Sequence, residues 1–290
     1  MRLRMSVDPN LLLSGPALRL ERAAPPVPAA ACGAGTGNAA PRWAGAVLPV
    51  ALLLALEASS RLGWVAAHLP PPPSEVLSML WWLLGQGLAG HVAASSLRVL
   101  VGFTAGAGLA LIIGALVGLS QRTERFLDPS FQALRAIPSL AWVPLLLLWL
   151  GIDEAPKIVL IAIGAFFPVY MGVASGFRDV DRKLVEVARM AGLSSLALVR
   201  RVLLPVAMPA VLTGLRNGLS LAWMFMVAAE LIAATRGLGY LLTDGRETSR
   251  ADIVLAAIVL LALLGKLTDT LMQRLERHVL AWRDTFDSRT

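Results

Sequence analysis

EVARMAGLSSLALVRRVLLPVAMP, residues 186–209, is a polar and broken passage in a strongly apolar chain, with four charges, one glycine and two prolines. Just upstream, Asp179 or Asp181 can cap a helix start. Val180, Leu184, Val187 and Ala191 then share one helical face, while Arg182, Lys183, Glu186 and Arg189 fall elsewhere. Arg182–Glu186 and Glu186–Arg189 have the spacing of surface ion pairs. Gly192 suits the left-handed residue that ends a helix. Ser194 or Ser195 can cap a second short helix with Leu196, Val199 and Leu203 on one side and Arg200 and Arg201 on another. Pro205 is expected to end that helix, and Pro209 to sit in the first turn of the next. The passage therefore reads as two short amphipathic helices with a sharp bend. Composition alone fits two uses equally: a helix pair resting on lipid headgroups, or a docking element for a partner.

The surrounding chain is membrane-like. Of 290 residues, 57% are hydrophobic and only 16% charged, more apolar surface than a soluble domain of this size needs. A bilayer-crossing helix takes about 20 mostly apolar residues. Six stretches qualify, at roughly 43–60, 95–119, 132–151, 157–177, 207–234 and 252–272. The third contains Pro138 and Pro144, which are tolerated in membrane helices and kink them.

The net charge of +7 is explained by topology rather than by nucleic acid. Six spans put the N-terminal segment, the loops after the second and fourth spans and the C-terminus on one side. Seventeen Lys/Arg lie there, against five on the other. The positive-inside rule makes that side, with both termini and the 186–209 passage, cytoplasmic.

Residues 1–42 are expected to form a disordered tail, since 23–42 are Ala-, Pro- and Gly-rich and aperiodic. The apolar trio Leu11–Leu13 is too short and too interrupted for a good signal peptide, and Met5 offers an alternative start. Residues 43–285 are expected to form the membrane domain, with a cytoplasmic loop at about 178–206, and 286–290 a short C-terminal tail.

Catalytic and cofactor signatures fail one by one. GQGLAG (85–90) matches G-x-G-x-x-G literally, but a Trp-rich amphipathic segment precedes it where a dinucleotide site needs a strand. GAGTGN (33–38) lacks the Lys-Ser/Thr of a phosphate loop. A single cysteine, Cys32, permits no internal disulfide and argues against a Cys-based metal site. His68, His91 and His278 are scattered. Gly102, Gly106, Gly108, Gly114 and Gly118 form a small-residue face suited to close helix packing.

At this point the chain resembles the integral-membrane subunits of binding-protein-dependent ATP-binding-cassette importers. These carry a cytoplasmic loop of pattern E-A-A, three residues, G, nine residues, I-x-L-P. Glu186, Val187, Ala188, Gly192, Val202, Leu204 and Pro205 keep that spacing, with Val187 in place of Ala and Val202 in place of Ile. The resemblance covers roughly residues 43–285. It looks closest to the aliphatic sulfonate, taurine and nitrate branch, through ALRAIPSLAWVPLLLLWLGIDEAPKI (133–158), LSLAWMFMVAAELIAATRGLGYLL (219–242) and LLGKLTDTLMQRLERHVLAWR (263–283), and within it to the aliphatic sulfonate permeases.

The resemblance implies an all-α integral membrane protein of the type I importer-permease fold, in the bacterial inner membrane. It implies a homodimer of permeases, a cytoplasmic ATP-binding subunit that hydrolyses ATP, and a periplasmic substrate-binding protein. The chain itself would bind no cofactor, metal or nucleic acid and would not be an enzyme. Glu186 would touch the ATPase, Gly192 would allow the bend, and Pro205 would set where the loop hands over to the fifth helix. Such a loop must be stiff to transmit a displacement.

The fifth span carries a polar stripe: Arg216, Ser220, Trp223, Val227 and Glu230 share one face, with Thr213 and Asn217 beside it. Charges at membrane depth usually face a bundle interior or cavity. Arg216, Asn217, Ser220 and Glu230 are therefore candidates for the translocation pathway, with Ser139 and Trp142 of the third span. For Arg216 the preferred reading is structural, an arginine paired with another helix or snorkelling to the membrane edge; the alternative is a favourable potential for a passing anion. A stand-alone secondary transporter would need inverted repeats and intramembrane ion sites, and no repeat links the two halves. A membrane-embedded enzyme would need paired catalytic residues, which are missing from the sequence.

Overall fold

Helix α6 (Glu154–Arg178) packs along α3 (Leu88–Leu119) on one flank and along α9 (Leu204–Ala233) on another. This is a computed structural model, describing residues 44–62 and 71–282. The backbone divides at Val50 into two units, the first of which is described only over the start of α1 (Ala44–Arg61). The remaining helices are α2 (Pro73–Gly85), α4 (Gln121–Ala136), α5 (Val143–Leu150), α7 (Arg182–Met190), α8 (Ser195–Leu198), α10 (Leu238–Glu247) and α11 (Ala251–Val279). No strand occurs among the described residues.

Glycines bring the three long helices together. A Cβ on Gly102 would stand 3.0 Å from the Ile158 carbonyl oxygen, on Gly106 2.9 Å from the Ala162 carbonyl carbon, and on Gly114 2.9 Å from Val173 Cβ. Gly118 would meet Phe177 Cβ at 2.7 Å. Backbone approach of this kind replaces the hydrophobic driving force that a lipid solvent cannot supply. Gly108, which the sequence groups with them, faces open space. On the other flank of α6, Gly172 meets Gly214 of α9 by the same device. Tyr170, Val169 and Val173 of α6 are fully buried between the two.

Four described helical stretches are long and apolar enough to cross a membrane: α3, α6, the run Ser195–Ile232 and α11. The bent pair α4–α5 would make a fifth. The expected third span, 132–151, is thus not one helix. α4 stops at Ala136, Ile137 and Pro138 are extended, a 3-10 turn covers Ser139–Trp142, and α5 leaves at 86°. Pro138 forces its predecessor out of helical geometry, so the proline breaks the span instead of kinking it. The second span begins at Leu88, seven residues earlier than expected.

Three helices form where the sequence reads as loop. α2 holds the Trp-rich segment, α4 carries charges over its whole length, and α10 fills the connection before α11. Gln86 and Gly87 alone join α2 to α3, so GQGLAG is a helix–turn–helix connection with no strand before it. The expected tail at 1–42, the GAGTGN segment, Cys32, His68 and residues 286–290 lie outside the described residues.

Candidate functional site

The broken passage folds as a bent arm. The Asp181 carboxylate accepts from the Lys183 N–H and starts α7. α7 ends in a Schellman motif: the Leu193 N–H donates to the Ala188 carbonyl at 3.2 Å, and the Gly192 N–H to that of Arg189 at 2.9 Å. Gly192 itself lies at φ 75°, the left-handed region. Ser194 then caps α8 through its hydroxyl, which accepts from the Ala197 N–H.

Pro205 does not end the second helix. α8 passes into a π-helical turn over Val199–Leu203, which runs directly into α9. A proline interior to a helix lacks one N–H and pushes on the carbonyl four residues back. The wider π turn immediately before Pro205 gives that carbonyl room. Ser195–Ile232 is therefore one helical run of 38 residues, with Pro209 inside α9 rather than at its start. The arm is continuous with a membrane-length helix, so displacement at α8 is displacement of α9.

The arm's surface also departs from the sequence reading. Val180 is buried, but Leu184, Val187 and Ala191 are exposed; Ala188 faces inward instead. Glu186 is exposed and makes neither expected ion pair among the described residues. Met190 at 87% exposure, Leu196 at 68% and Val187 at 64% add exposed apolar surface to the arm. Val202 and Pro205 are half-buried, and Leu204 is partly exposed. Behind the arm, Arg178 at the end of α6 reaches Glu124 and Asp128 of α4, each at 3.2 Å, and Tyr170 donates to Asp128 at 2.7 Å.

The polar stripe of α9 is divided among three environments. Arg216 pairs with Asp269 of α11, Nε to Oδ1 at 2.6 Å, and Trp223 Nε1 donates to Thr268 Oγ1 at 3.0 Å. Ser220 lies in the same α9–α11 cleft and donates to the Arg216 carbonyl. Glu230 is fully buried at the opposite end of α9 from the arm, where it accepts from Arg98 Nη1 at 2.7 Å, Ser95 Oγ at 2.7 Å and the Gly239 N–H at 2.7 Å. Arg98 in turn reaches Glu154, Nη2 to Oε1 at 2.8 Å, and Glu154 also takes Lys157 at 2.9 Å. His91 Nδ1 meets Gly237 beside this cluster and stacks on Tyr240. Among the described residues no buried side-chain polar atom lacks a partner, and no group of His, Cys, Asp and Glu could hold a metal.

Asn217 and Ser139 both line a third place, a cavity of about 600 Å³ between α6, α9 and the α4–α5 break. Gly164, Pro168 and Gly172 form its α6 wall; Thr213, Gly214, Asn217 and Met224 form its α9 wall. Trp142 lines a separate apolar cavity of about 420 Å³ with Ile163 and Phe166. Thr213, Asn217, Ser220 and Met224 are all exposed, and at spacings of four, three and four residues they make one continuous face of α9. Polar groups on lipid-facing surface are costly, so this face is suited to a water-filled path or a second subunit.

The sequence missed the Arg98–Glu230 cluster and the cavity's remaining cation, Arg135. A lone arginine inside the apolar run LRVLVGF was the available signal for the first, because a charge at that depth demands a partner. Arg135 lies in a stretch that read as the start of a span, and nothing local marks it.

Comparison with known proteins agrees with this architecture. The family described as "Binding-protein-dependent transport system inner membrane component" matches residues 106–281. A Bacillus subtilis (strain 168) protein named as an aliphatic sulfonates transport permease, SsuC, is 44% identical over 84% of this chain and 88% of its own length. The taurine transport system permease TauC of Escherichia coli (strain K12) is 38% identical over 73% of this chain and 79% of its own. The nitrate import permease NrtB of Synechocystis sp. (strain PCC 6803) is 33% identical over 72% and 80%. A solved structure of the methionine transporter MetNI, in an inward-facing conformation, superposes with a TM-score of 0.55 at 24% identity. It covers 68% of this chain and 96% of its own, which supports the fold.

Proposed function

The chain belongs to the inner-membrane components of binding-protein-dependent transport systems, and we propose that it is the permease of an ATP-driven importer for aliphatic sulfonates. It is a multi-pass inner-membrane protein and the non-catalytic pore component of its system. In this reading both termini and the bent arm face the cytoplasm, as the distribution of Lys and Arg favours. A separate ATPase hydrolyses ATP and receives Glu186 and the apolar residues around it. A periplasmic binding protein delivers substrate to the opposite face, and this chain holds no cofactor.

The observation that carries the reading is the continuity of the arm with α9. α7 is closed by hydrogen bonds at Gly192, and α8 runs through the π turn into the helix whose polar face lines the cavity of about 600 Å³. Closure of an ATPase dimer against Glu186 would shift α9 and change access to that cavity. Two copies of the chain meeting across the Thr213–Asn217–Met224 face would enclose the path. Ser139 and Asn217 are the pathway candidates that geometry favours. Arg216, with its carboxylate partner, serves packing of α9 on α11, and Glu230 serves the far end of the bundle.

The substrate follows from the relatives, which are named for sulfonates, taurine and nitrate, all carrying a small oxyanion. Taurine or nitrate is the alternative within this family. The test is uptake into proteoliposomes holding this chain, its cognate ATPase and its binding protein, with ethanesulfonate, taurine and nitrate compared. ATP-dependent accumulation of ethanesulfonate above the other two is expected. Accumulation by this chain without the ATPase would overturn the reading in favour of a stand-alone secondary transporter.

A further inference from the structure

Arg135 is the charged residue among those lining the cavity between α6, α9 and the α4–α5 break. It ends α4, one residue before the helix stops, because Ile137 and Pro138 are extended. That position places a cation at the favourable end of the helix dipole and turns it toward the break. Arg135 is itself exposed, whereas the arginines packed between helices are engaged: Arg98 by Glu154 and Glu230, Arg178 by Glu124 and Asp128, Arg216 by Asp269. Among the described residues no carboxylate lies within ion-pair distance of Arg135, and none lines the cavity.

The cavity's other polar side chains sort in the same way. Ser175 donates to the Gly172 carbonyl and Thr213 to that of Pro209 at 2.9 Å, so both hydroxyl protons are committed. Ser139 and Asn217 make no side-chain hydrogen bond among the described residues. Three side chains with free donors thus line one space: a guanidinium fork, a carboxamide and a hydroxyl. Arginine stays charged at any physiological pH and presents paired N–H groups matched to two oxygens of an oxyanion. The rest of the wall is apolar, including Met171, Met224 and Phe225.

We propose that Arg135, with Ser139 and Asn217, is an anion-binding station of the translocation path, taking the three oxygens of a sulfonate head while Met171, Met224 and Phe225 accept its alkyl tail. The inference rests on the reading that this cavity lies on the path, and it adds a charge selection within the membrane to whatever selection the binding protein makes. A small oxyanion without a tail would occupy the same donors with less of the wall.

The experiment uses the complete importer in proteoliposomes, with Cys32 first replaced by serine. Arg135→Ala is expected to cut ethanesulfonate uptake at least tenfold while substrate-stimulated ATPase activity stays within twofold, and Arg135→Lys to retain more than a third of uptake. Arg135→Cys is expected to behave like the alanine variant. Aminoethyl methanethiosulfonate, which returns a positive charge, is expected to restore uptake. Sulfonatoethyl methanethiosulfonate, which adds a negative one, is expected to leave it abolished. Wild-type uptake by Arg135→Ala, equal rescue by both reagents, or loss of ATPase stimulation that neither reagent repairs would each overturn the station and leave the permease reading standing. A parent protein that takes up no sulfonate with its partners present would overturn the permease reading itself.

Discussion

Arg98 of α3 and Glu230 of α9 form a buried ion pair, 2.7 Å from Nη1 to Oε1, at the end of the bundle opposite the arm. Glu230 has no exposed side-chain surface, and Arg98 only 8%. Their remaining bonding capacity is used by Ser95, Glu154, the Arg236 carbonyl and the Gly239 N–H. One pair therefore ties α3, α6, α9 and the start of α10 together.

Removing Glu230 leaves Arg98 with Glu154 as its sole carboxylate, and removing Arg98 leaves Glu230 buried among neutral donors. Loss of a buried partner costs about 3–5 kcal/mol, whereas replacing both by apolar side chains of similar size is often neutral. Glu230→Ala is expected to lower the thermal unfolding midpoint in detergent by well over 5 °C, and Arg98→Met/Glu230→Met to recover part of that loss. A midpoint unchanged in the single variant would show that the pair is dispensable.

Arg216 presents the same chemistry in a wetter place, with 37% of its side chain exposed and Asp269 24% exposed. Here the ion pair joins α9 to α11. Arg216→Ala and Asp269→Ala are expected to lower the amount of protein in the membrane alike, the double variant being no worse than either. Uptake per molecule should stay near that of the parent. A loss of uptake confined to Arg216→Ala, at normal protein level, would return Arg216 to the pathway.

At the arm, Glu186 is exposed and held by no ion pair among the described residues, so its replacement costs the fold little. Glu186→Lys is expected to insert normally and to lose substrate-stimulated ATPase activity at least tenfold. Full coupling in that variant would mean that the arm rests on lipid headgroups instead.

Gly192 separates conformation from contact. A Cβ there would touch nothing within 4 Å, yet φ is 75°. Left-handed backbone costs a non-glycine L-residue about 1–2 kcal/mol. Gly192→Ala is expected to lower overall stability by no more than that backbone cost, about 1–2 kcal/mol, while reducing coupled ATPase activity severalfold, because the strain is confined to the bend. Gly192→Asn, which tolerates this region better, is expected to be milder.

How much of this was legible in sequence depended on whether the signal was local. The arm's caps, Gly192 and the α3 glycine face were readable because each is a property of a few neighbouring residues. α4 was not: it read as a basic loop after the second span, through Arg122 and Arg125, and Arg178, which pairs with its Glu124 and Asp128, lies about 50 residues downstream. Pro205 misled in the opposite direction. A proline reads as a terminator, but the π turn at Val199–Leu203 absorbs its lost hydrogen bond and keeps the helix running. The polar stripe of α9 was found as a stripe; its division among an ion pair, a buried cluster and a cavity was set by α3, α6 and α11, which helical periodicity cannot report.

Gly106 and Gly108 give the sharpest test of the core, because they are two residues apart on α3 and differ only in which way they face. A Cβ on Gly106 would press on the Ala162 backbone, 2.9 Å from its carbonyl carbon, and backbone cannot rotate away as a side chain can. A Cβ on Gly108 meets open space. Alanine at either site gains helix propensity over glycine by roughly 0.8–1.0 kcal/mol in a helix interior. Gly108→Ala is therefore expected to be neutral or slightly stabilising, whereas Gly106→Ala must push α3 from α6 along their shared face and lower the unfolding midpoint by several degrees. Equal midpoints for the two variants would mean that α3 and α6 do not approach at Gly106.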